Sequence, residues 1–262
     1  MSEAPGRAQV SFAGALVAEW VKFRTLRSTV AVLAASMLGM LAIGLIVAAN
    51  TRHLTSNLQP DDIVQSSTLQ GYYLAQLLIG ALGVLVVSGE YGTGMIRSSL
   101  AAVPRRVPVL WAKTLVFVAV TFPTMLVMCF VSFVSAQAVI STARPGFSLG
   151  DPGVLRVVFG TAGYLTLIGV IGGMLGWIVR STPGALVAYF ATVLVLPVIF
   201  GNVLGTWGKD VAEYLPSNAG GSFASSLPDS PSLSPVVGLV VLAAWVALGL
   251  AVALATLVRR DA

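Results

Sequence analysis

The chain alternates between long uncharged, hydrophobic runs and short polar segments. A helix needs roughly 20 residues to cross a hydrocarbon core of about 30 Å. Runs that reach or approach this length lie at 30–49, 71–88, 114–140, 157–179, 182–204 and 236–258. The pattern therefore predicts an all-α integral membrane protein, with six transmembrane helices in a single transmembrane domain that covers 1–262.

The composition supports a membrane location. Hydrophobic residues make up 56% of the chain and charged residues 10%, with a mean hydropathy of +0.91. A soluble domain carries roughly 25% charged residues. The first run starts late and is too long for the 7–15-residue apolar core of a signal peptide. It also lacks a clear small-residue cleavage site, so we interpret it as a transmembrane helix.

The segment before the first run has its own periodicity. An apolar stripe recurs at helical spacing in Phe12, Leu16, Trp20 and Phe23. Lys22 and Arg24 lie off this stripe, although Glu19 falls close to it. We expect an N-terminal amphipathic helix within 8–28 that lies on the membrane surface with Trp20 at headgroup depth. An ordinary charged tail is the alternative.

The basic residues are distributed unevenly between the two sides of the membrane. Six spans place both termini on the same side, together with eleven of the 15 Lys and Arg residues. These are Arg7, Lys22, Arg24, Arg27, Arg97, Arg105, Arg106, Lys113, Arg180, Arg259 and Arg260. By the positive-inside bias, both termini and the 90–113 loop are expected to be cytoplasmic. The pI near 9.7 then reflects topology and anionic headgroups, and no nucleic-acid partner is expected.

The 90–113 loop has the pattern of a short helix flanked by charge. Gly92 and Gly94 free the backbone to turn, and the residues from Met95 to Val103 can then coil. Pro104 stops that helix because it lacks the amide hydrogen that the helix would use. We therefore predict a structured protrusion at this point of the chain.

The runs carry little chemistry of their own. As drawn, none contains Asp, Glu, Lys, Arg or His, whereas ion-coupled carriers need ionisable groups inside the membrane. A secondary carrier or channel is therefore disfavoured. Cys129 and His53 are each alone in their residue type, so neither a catalytic nor a metal site is predicted. The phosphate-binding pattern Gly-x-x-x-x-Gly-Lys-Ser/Thr is absent, so we do not expect this chain to be an enzyme.

Three stretches carry a family resemblance. The first joins Glu90-Tyr91-Gly92-Thr93-Gly94 to Ile96-Arg97, Leu100, Pro104-Arg105-Arg106, Leu110 and Lys113. The second is Ala18-Glu19-Trp20-Val21-Lys22-Phe23-Arg24-Thr25-Leu26-Arg27-Ser28, in which Val21 and Phe23 are mild departures. The third is Glu213-Tyr214-Leu215-Pro216-Ser217-Asn218-Ala219-Gly220. In these stretches the chain resembles the membrane subunits of ABC-2 type ABC transporters, particularly actinobacterial members.

The resemblance implies that the helix after Gly94 is a coupling helix, which docks into a groove of a cytoplasmic ABC ATPase. The ATPase-coupling residues would be Glu90, Tyr91, Gly92, Gly94, Met95, Ile96, Arg97, Leu100, Pro104, Arg105 and Arg106. The arginines would supply ionic contacts, while the apolar residues would bury against the ATPase or the underside of the bundle. A loop that is basic only to satisfy topology is the alternative.

The resemblance also implies the assembly and its cofactors. A second permease subunit, identical or related, would join this one, together with two ATPase subunits. No cofactor is expected in this chain, because ATP and Mg would be bound by the partner ATPase. The high ratio of Arg to Lys, 12 to 3, is typical of a GC-rich genome, so the expected location is a bacterial cell membrane.

In the related transporters the substrate pathway is lined mainly by spans one, two and five. The candidates here are Tyr72, Tyr73, Gln76, Tyr189 and Asn202. For each, interfacial anchoring or a helix–helix hydrogen bond is the alternative. An almost wholly apolar lining suits export of a hydrophobic or amphipathic compound. A non-transporting membrane protein with the same architecture, such as an immunity factor or a sensor partner, stays open.

Small residues and prolines predict local features of the spans. Gly169, Gly172, Gly173 and Gly176 would let span four pack closely, within the chain or against a second copy. Pro123 and Pro197 are expected to kink spans three and five. In the external loop 205–235 we expect short helices as far as Tyr214 and irregular chain beyond it. This loop is expected either to cap the pathway from outside or to be a passive connection.

Overall fold

The computed structural model describes residues 11–51, 69–95, 106–142, 148–224 and 233–259. Within these ranges, six helices are long and apolar enough to cross a membrane. The prediction of an all-helical, six-span membrane protein is confirmed. His53 lies outside the described residues.

The helices follow one another along the chain in a simple order. They are α1 (Phe12–Thr25), α2 (Arg27–Thr51), α3 (Tyr72–Thr93), α4 (Arg106–Ile140), α5 (Val154–Val179), α6 (Thr182–Phe190), a π-helical segment π1 (Ala191–Val195), α7 (Leu196–Asn202), α8 (Gly205–Ala212), α9 (Pro216–Ala224) and α10 (Pro235–Arg259). Spans one to four are α2, α3, α4 and α5, span five combines α6, π1 and α7, and span six is α10.

Spans two and three extend beyond the uncharged runs that predicted them. Helix α3 continues from the run's end at 88 to Thr93, and α4 begins at Arg106 rather than at 114. Glu90 and Lys113 therefore lie inside helices, and both are buried. The expected absence of ionisable groups holds for the runs as drawn, but it does not hold for the helices. Helix α3 ends where Gly94 adopts a left-handed conformation with a φ of 72°, which favours glycine.

Span four lies at the centre of the bundle and is its most buried span. Its glycines face span two so closely that no side chain fits between the backbones. A Cβ atom added at Gly172 would collide with the carbonyl of Gly80, and one at Gly83 would collide with that of Gly169. In lipid, such backbone proximity replaces the hydrophobic drive for helix association. The predicted close packing is confirmed, and it occurs within the chain.

The two prolines expected to kink their spans, Pro123 and Pro197, have different surroundings. Helix α4 runs continuously through Pro123. In span five, the π-helical segment Ala191–Val195 immediately precedes the turn that contains Pro197. A proline removes a backbone donor, and a π-helical turn is one way in which a helix accommodates the change. Span five is therefore the irregular span.

The chain after span five folds back onto the bundle as two short helices. Helix α8 lies in the part for which short helices were predicted. Irregular chain was expected beyond Tyr214, yet α9 is helical from Pro216 to Ala224, so that expectation was wrong for this stretch. Tertiary packing explains the difference, because Leu215 and Ala219 are buried and a Cβ at Gly220 would meet the ring of Tyr164. Residues 225–232 lie outside the described ranges.

Helix α1 packs along span three and is joined to span one by a single extended residue, Leu26. The hydroxyl of Ser11 accepts a hydrogen bond from the amide of Gly14 and caps the start of α1. The buried face carries Ala15, Glu19 and Phe23. Phe12 and Trp20 of the apolar stripe remain about half exposed. The face in contact with the bundle is therefore centred on Glu19 rather than on the stripe.

Candidate functional sites at the two ends of the bundle

The spans bring two groups of predicted residues to opposite ends of the bundle. One end, called here the basic end, carries α1, the turn at Arg180, and the ends of α3 and α4 that flank residues 96–105. The other end, called the open end, carries the start of span two, the end of span five, and helices α8 and α9. Each end holds one candidate site.

At the basic end, four charged side chains form a compact ionic cluster composed of Glu19, Lys22, Glu90 and Lys113. The Nζ atom of Lys113 lies 2.6 Å from Oε2 of Glu19 and 2.8 Å from Oε1 of Glu90. The Nζ atom of Lys22 lies 2.8 Å from Oε1 of Glu19 and 2.9 Å from Oε1 of Glu90. Each lysine thus donates to both carboxylates, and the cluster ties α1 to spans two and three.

The ionic cluster is buried and its formal charge sums to zero. Only 4% of the Lys113 side chain is exposed, and 7% of each glutamate, whereas Lys22 closes the outer side with 25% exposed. Burial by itself lowers the pKa of Lys22. The hydrogen bonds and charges of Glu19 and Glu90 outweigh this effect, so the pKa of Lys22 is raised above 10.5. This lysine is therefore fully charged at neutral pH.

Tyr91, the residue after Glu90, is held on a different side of the same helix. Its ring meets that of Trp177 edge-on, with 6.0 Å between the centroids. The guanidinium of Arg180 lies 5.5 Å from the centroid of the Tyr91 ring. Arg180 also donates a hydrogen bond of 2.9 Å to the carbonyl of Thr256, near the end of span six. The last turn of span two is thus held against the ends of spans four and six.

The residues predicted for ATPase coupling are only partly described. Glu90 and Tyr91 are packed as above, Gly92 remains helical, Gly94 makes the turn, and Met95 is exposed at the last described position before the loop. The predicted helix from 95 to 103 is therefore described at its first residue alone. Arg106 is the first residue of α4. The remaining predicted residues, Ile96, Arg97, Leu100, Pro104 and Arg105, lie outside the described ranges.

At the open end, a cleft of about 530 Å³ lies between the start of span two, the second half of span five, and helices α8 and α9. One wall is apolar and includes Val193, Leu194, Pro197 and Val198. The other wall carries hydroxyl, amide and charged groups from Tyr72, Tyr73, Gln76, Lys209, Glu213, Ser217, Asn218 and Ser222. This volume lies within the range of about 300–1,000 Å³ that is usual for small-molecule sites.

Three of the five predicted pathway residues line this cleft. Tyr72 and Tyr73 stack with their ring centroids 4.2 Å apart, and Tyr73 is 53% exposed. The side-chain carbonyl of Gln76 accepts a hydrogen bond from the buried hydroxyl of Tyr164. These residues therefore pack against other side chains of the bundle and also border the open volume of the cleft.

The other two predicted pathway residues have structural partners. The hydroxyl of Tyr189 donates a hydrogen bond of 2.6 Å to the backbone carbonyl of Gln76, and its ring fills the space left by Gly80. The amide of Asn202 donates to the carbonyl of Val198 in its own helix, at 3.1 Å. Tyr189 thus makes the helix–helix hydrogen bond that was the alternative for these residues.

Sequence reasoning placed Glu19, Lys22 and Lys113 within motifs but gave them no role in a site. The missed signal was Glu19 itself, an acidic residue close to the apolar face of a predicted amphipathic helix. A charge on that face needs a buried partner of opposite sign. Glu90 and Lys113 stood just outside two uncharged runs, so they were natural members of such a group.

Across the ranges that the structure describes, no group of three or more His, Cys, Asp or Glu residues comes together as a metal site would require. The chain matched no family model and no curated protein in the comparisons made.

Proposed function

We propose that this chain is the membrane subunit of an ATP-driven exporter of the ABC-2 type, with ATP hydrolysed by a separate cytoplasmic subunit. The proposed cargo is a hydrophobic or amphipathic compound. The basic end faces the cytoplasm of a bacterial cell in this proposal, in keeping with the eleven basic residues on that side. The single observation that carries the proposal is the buried ionic cluster, which joins spans two and three on either side of the 96–105 loop.

The cluster has the mechanical properties that a coupling element requires. Glu90 stands six residues before the loop segment and Lys113 eight residues after it, and the 2.8 Å contact between them joins the two helices that flank it. Truncating one partner of a buried pair costs about 3–5 kcal/mol, so this contact resists separation. A force applied to the loop would therefore move spans two and three together.

The same cluster extends that force to the rest of the bundle. Glu19 and Lys22 make α1 part of the ionic cluster, and Leu26 links α1 directly to span one. On the other side, Tyr91 contacts Trp177 and Arg180 of the fourth span and its turn. In the proposed mechanism, closure of the ATPase pushes the loop, and these contacts transmit the displacement to α1 and to the spans joined to it.

The cleft at the open end supports the proposed cargo class. Its apolar wall suits a hydrocarbon or aromatic body, and its polar wall offers hydrogen-bond donors and acceptors to a head group. The π-helical segment of span five contributes Val193 and Leu194 to the lining, so an irregular part of the bundle borders the cleft. Such π-helical turns frequently occur at functional sites.

The coupling proposal is tested by purifying the tagged full-length chain from its own host in mild detergent. We expect a nucleotide-hydrolysing subunit to co-purify, and we expect the Arg97→Glu variant to lose most of it. The matched control is Arg259→Glu, which makes the same charge change at the exposed end of span six. Equal recovery of the hydrolysing subunit with Arg97→Glu and with the control would contradict the coupling role of the loop.

The cargo proposal is tested with the purified complex. Amphipathic compounds that stimulate ATP hydrolysis by the wild type should stimulate the Tyr73→Ala complex much less. Tyr214→Ala is the control, because its side chain is similarly exposed, at 51% against 53%, and does not line the cleft. If the chain protected cells from a toxic peptide and no nucleotide-hydrolysing subunit co-purified with it, that result would instead support the immunity-factor alternative.

A further inference from the structure

A groove smaller than the cleft of the open end lies at the basic end, between α1 and span one. It has a volume of about 180 Å³ and is lined by Trp20, Phe23, Arg24, Val30, Leu33 and Val120. Five of these six side chains are hydrophobic. The groove therefore combines an apolar interior with one cationic group.

The walls of the groove come from α1 and α2, which are joined at Leu26, and from α4, which contributes Val120. Phe23 is buried and meets Phe117 of span three edge-on, with 6.2 Å between the ring centroids. Val30 is 53% exposed, so the groove opens towards the surroundings of the bundle. In a six-span membrane protein, hydrocarbon chains of lipid surround such a lateral opening at the end of a span.

The charge at the groove differs from the charges in the ionic cluster. Lys22 and Lys113 are both engaged with carboxylates. Arg24 is exposed, and within the described ranges no hydrogen bond or ion pair engages its guanidinium. A guanidinium presents a planar set of donors that matches two oxygens of a phosphate. Arg24 is thus available to bind an anionic group beside an apolar groove.

We propose that this groove binds an anionic phospholipid, with one acyl chain along Phe23, Val30 and Leu33 and the phosphate on Arg24. Trp20 borders the same groove and is about half exposed, which suits an indole at the level of the headgroups. Arg27, exposed at the start of span one, adds positive charge nearby in the chain. Lipid bound in this way would brace α1 against spans one and three.

Lipid binding here is independent of whether an ATPase drives the bundle. The groove is also separate from the cleft, which shares no residue with it and lies at the other end. A phospholipid is favoured over transported cargo as the occupant because the groove sits where α1 meets a span end and its one charge is positive. Basic residues near a membrane surface contribute about 1 kcal/mol each to attraction for anionic lipids.

The test uses the delipidated full-length chain in detergent, to which phosphatidylglycerol or phosphatidylcholine with identical acyl chains is added. Retained lipid is counted by native mass spectrometry. We expect phosphatidylglycerol to be preferred, and Arg24→Gln to weaken its binding about fivefold, as loss of one basic contact implies. Arg259→Gln, at the same end and away from the groove, should bind as the wild type does.

A second variant and a second readout test the position of the acyl chain. Val30→Trp places a larger side chain in the groove and should reduce retention of both lipids. Phosphatidylglycerol with brominated acyl chains should quench tryptophan emission in the wild type, and this quenching should be weaker in Trp20→Phe. Equal binding of the two lipids, wild-type binding by Arg24→Gln, or quenching unchanged by Trp20→Phe would each overturn the proposal.

Discussion

At the basic end, two lysines and two glutamates close a buried cluster in which each lysine Nζ lies between 2.6 and 2.9 Å from an oxygen of each glutamate. At the open end, a cleft of about 530 Å³ lies beside a π-helical turn and two short helices. The first end is held by directional contacts that have few alternative arrangements. The second is held by apolar packing and isolated hydrogen bonds, which tolerate rearrangement more readily. The comparison indicates a stiff end and an adaptable end in one bundle.

The two ends are connected through a central seam of glycines. Spans two and four approach each other at Gly80 and Gly83 on one side and at Gly169 and Gly172 on the other. A seam of this kind keeps the backbones of the two helices in register, because no side chain separates them. Movement at the basic end would therefore be carried along span two to Tyr72 and Tyr73, which line the cleft.

The largest effect is expected from breaking the ionic cluster. Lys113→Met removes the most buried cation and leaves Glu19 and Glu90 with Lys22 alone. We expect the free energy of unfolding in detergent to fall by about 3–5 kcal/mol. Lys209→Met removes an exposed lysine at the open end and should change it by no more than about 0.5 kcal/mol. Equal losses from the two variants would show that the ends do not differ in stiffness.

A smaller effect is expected at the glycine seam. Gly172→Ala forces a methyl group against the carbonyl of Gly80, so we expect a loss of about 1–3 kcal/mol in unfolding free energy. Gly163→Ala is the matched control in the same helix, because a Cβ there meets nothing within 4 Å. That control should be neutral or stabilise the helix by up to about 1 kcal/mol. Two neutral variants would argue against a tight seam.

The helical framework was predictable from the sequence because its cause is local. A run of uncharged residues long enough to cross a bilayer has few options other than a helix, since every backbone amide must find a partner within lipid. Small residues three and four apart likewise indicated the seam at Gly172. The limits of the helices were less predictable, because Glu90 and Lys113 neutralise each other and let both helices continue beyond the apolar runs.

The site at the basic end depended on contacts that periodicity does not encode. Glu19 and Lys113 are 94 positions apart, and only the folded bundle brings them together. The same holds for α9, which is helical because Leu215 and Ala219 find buried positions against the bundle. Tyr72, Tyr73 and Gln76 were easier to select, because the family resemblance places the pathway along spans one, two and five, and these are polar or aromatic residues of span two.

At the open end, the expected effect of a single hydrogen bond is modest. Tyr189→Phe removes a buried donor to the carbonyl of Gln76 and should lower the free energy of unfolding by about 0.5–1.5 kcal/mol. Tyr73→Phe removes a hydroxyl from a ring that is 53% exposed and serves as the control. We expect no measurable change from it. A loss for Tyr189→Phe as large as that for Lys113→Met would mean that the open end is as tightly determined as the basic end.

The smallest effect concerns Lys22 and appears only at alkaline pH. Its folded pKa is raised above 10.5, because the pull of Glu19 and Glu90 outweighs burial. Its stabilising contribution is therefore complete below pH 10.5 and declines as the pH rises through the folded pKa. At neutral pH, Lys22→Met should cost about 1 kcal/mol, less than Lys113→Met, because water screens a partly exposed pair.

The measurement is the difference in unfolding free energy between the wild type and Lys22→Met from pH 7 to pH 11. We expect this difference to stay constant to about pH 10 and to shrink above it, since the wild type then loses the charge that the variant already lacks. Subtracting the variant cancels the alkaline titration of groups common to both proteins. A difference that shrinks already between pH 7 and pH 9 would mean that Lys22 is not held by the two carboxylates, and the ionic cluster would then reduce to Lys113 and its partners.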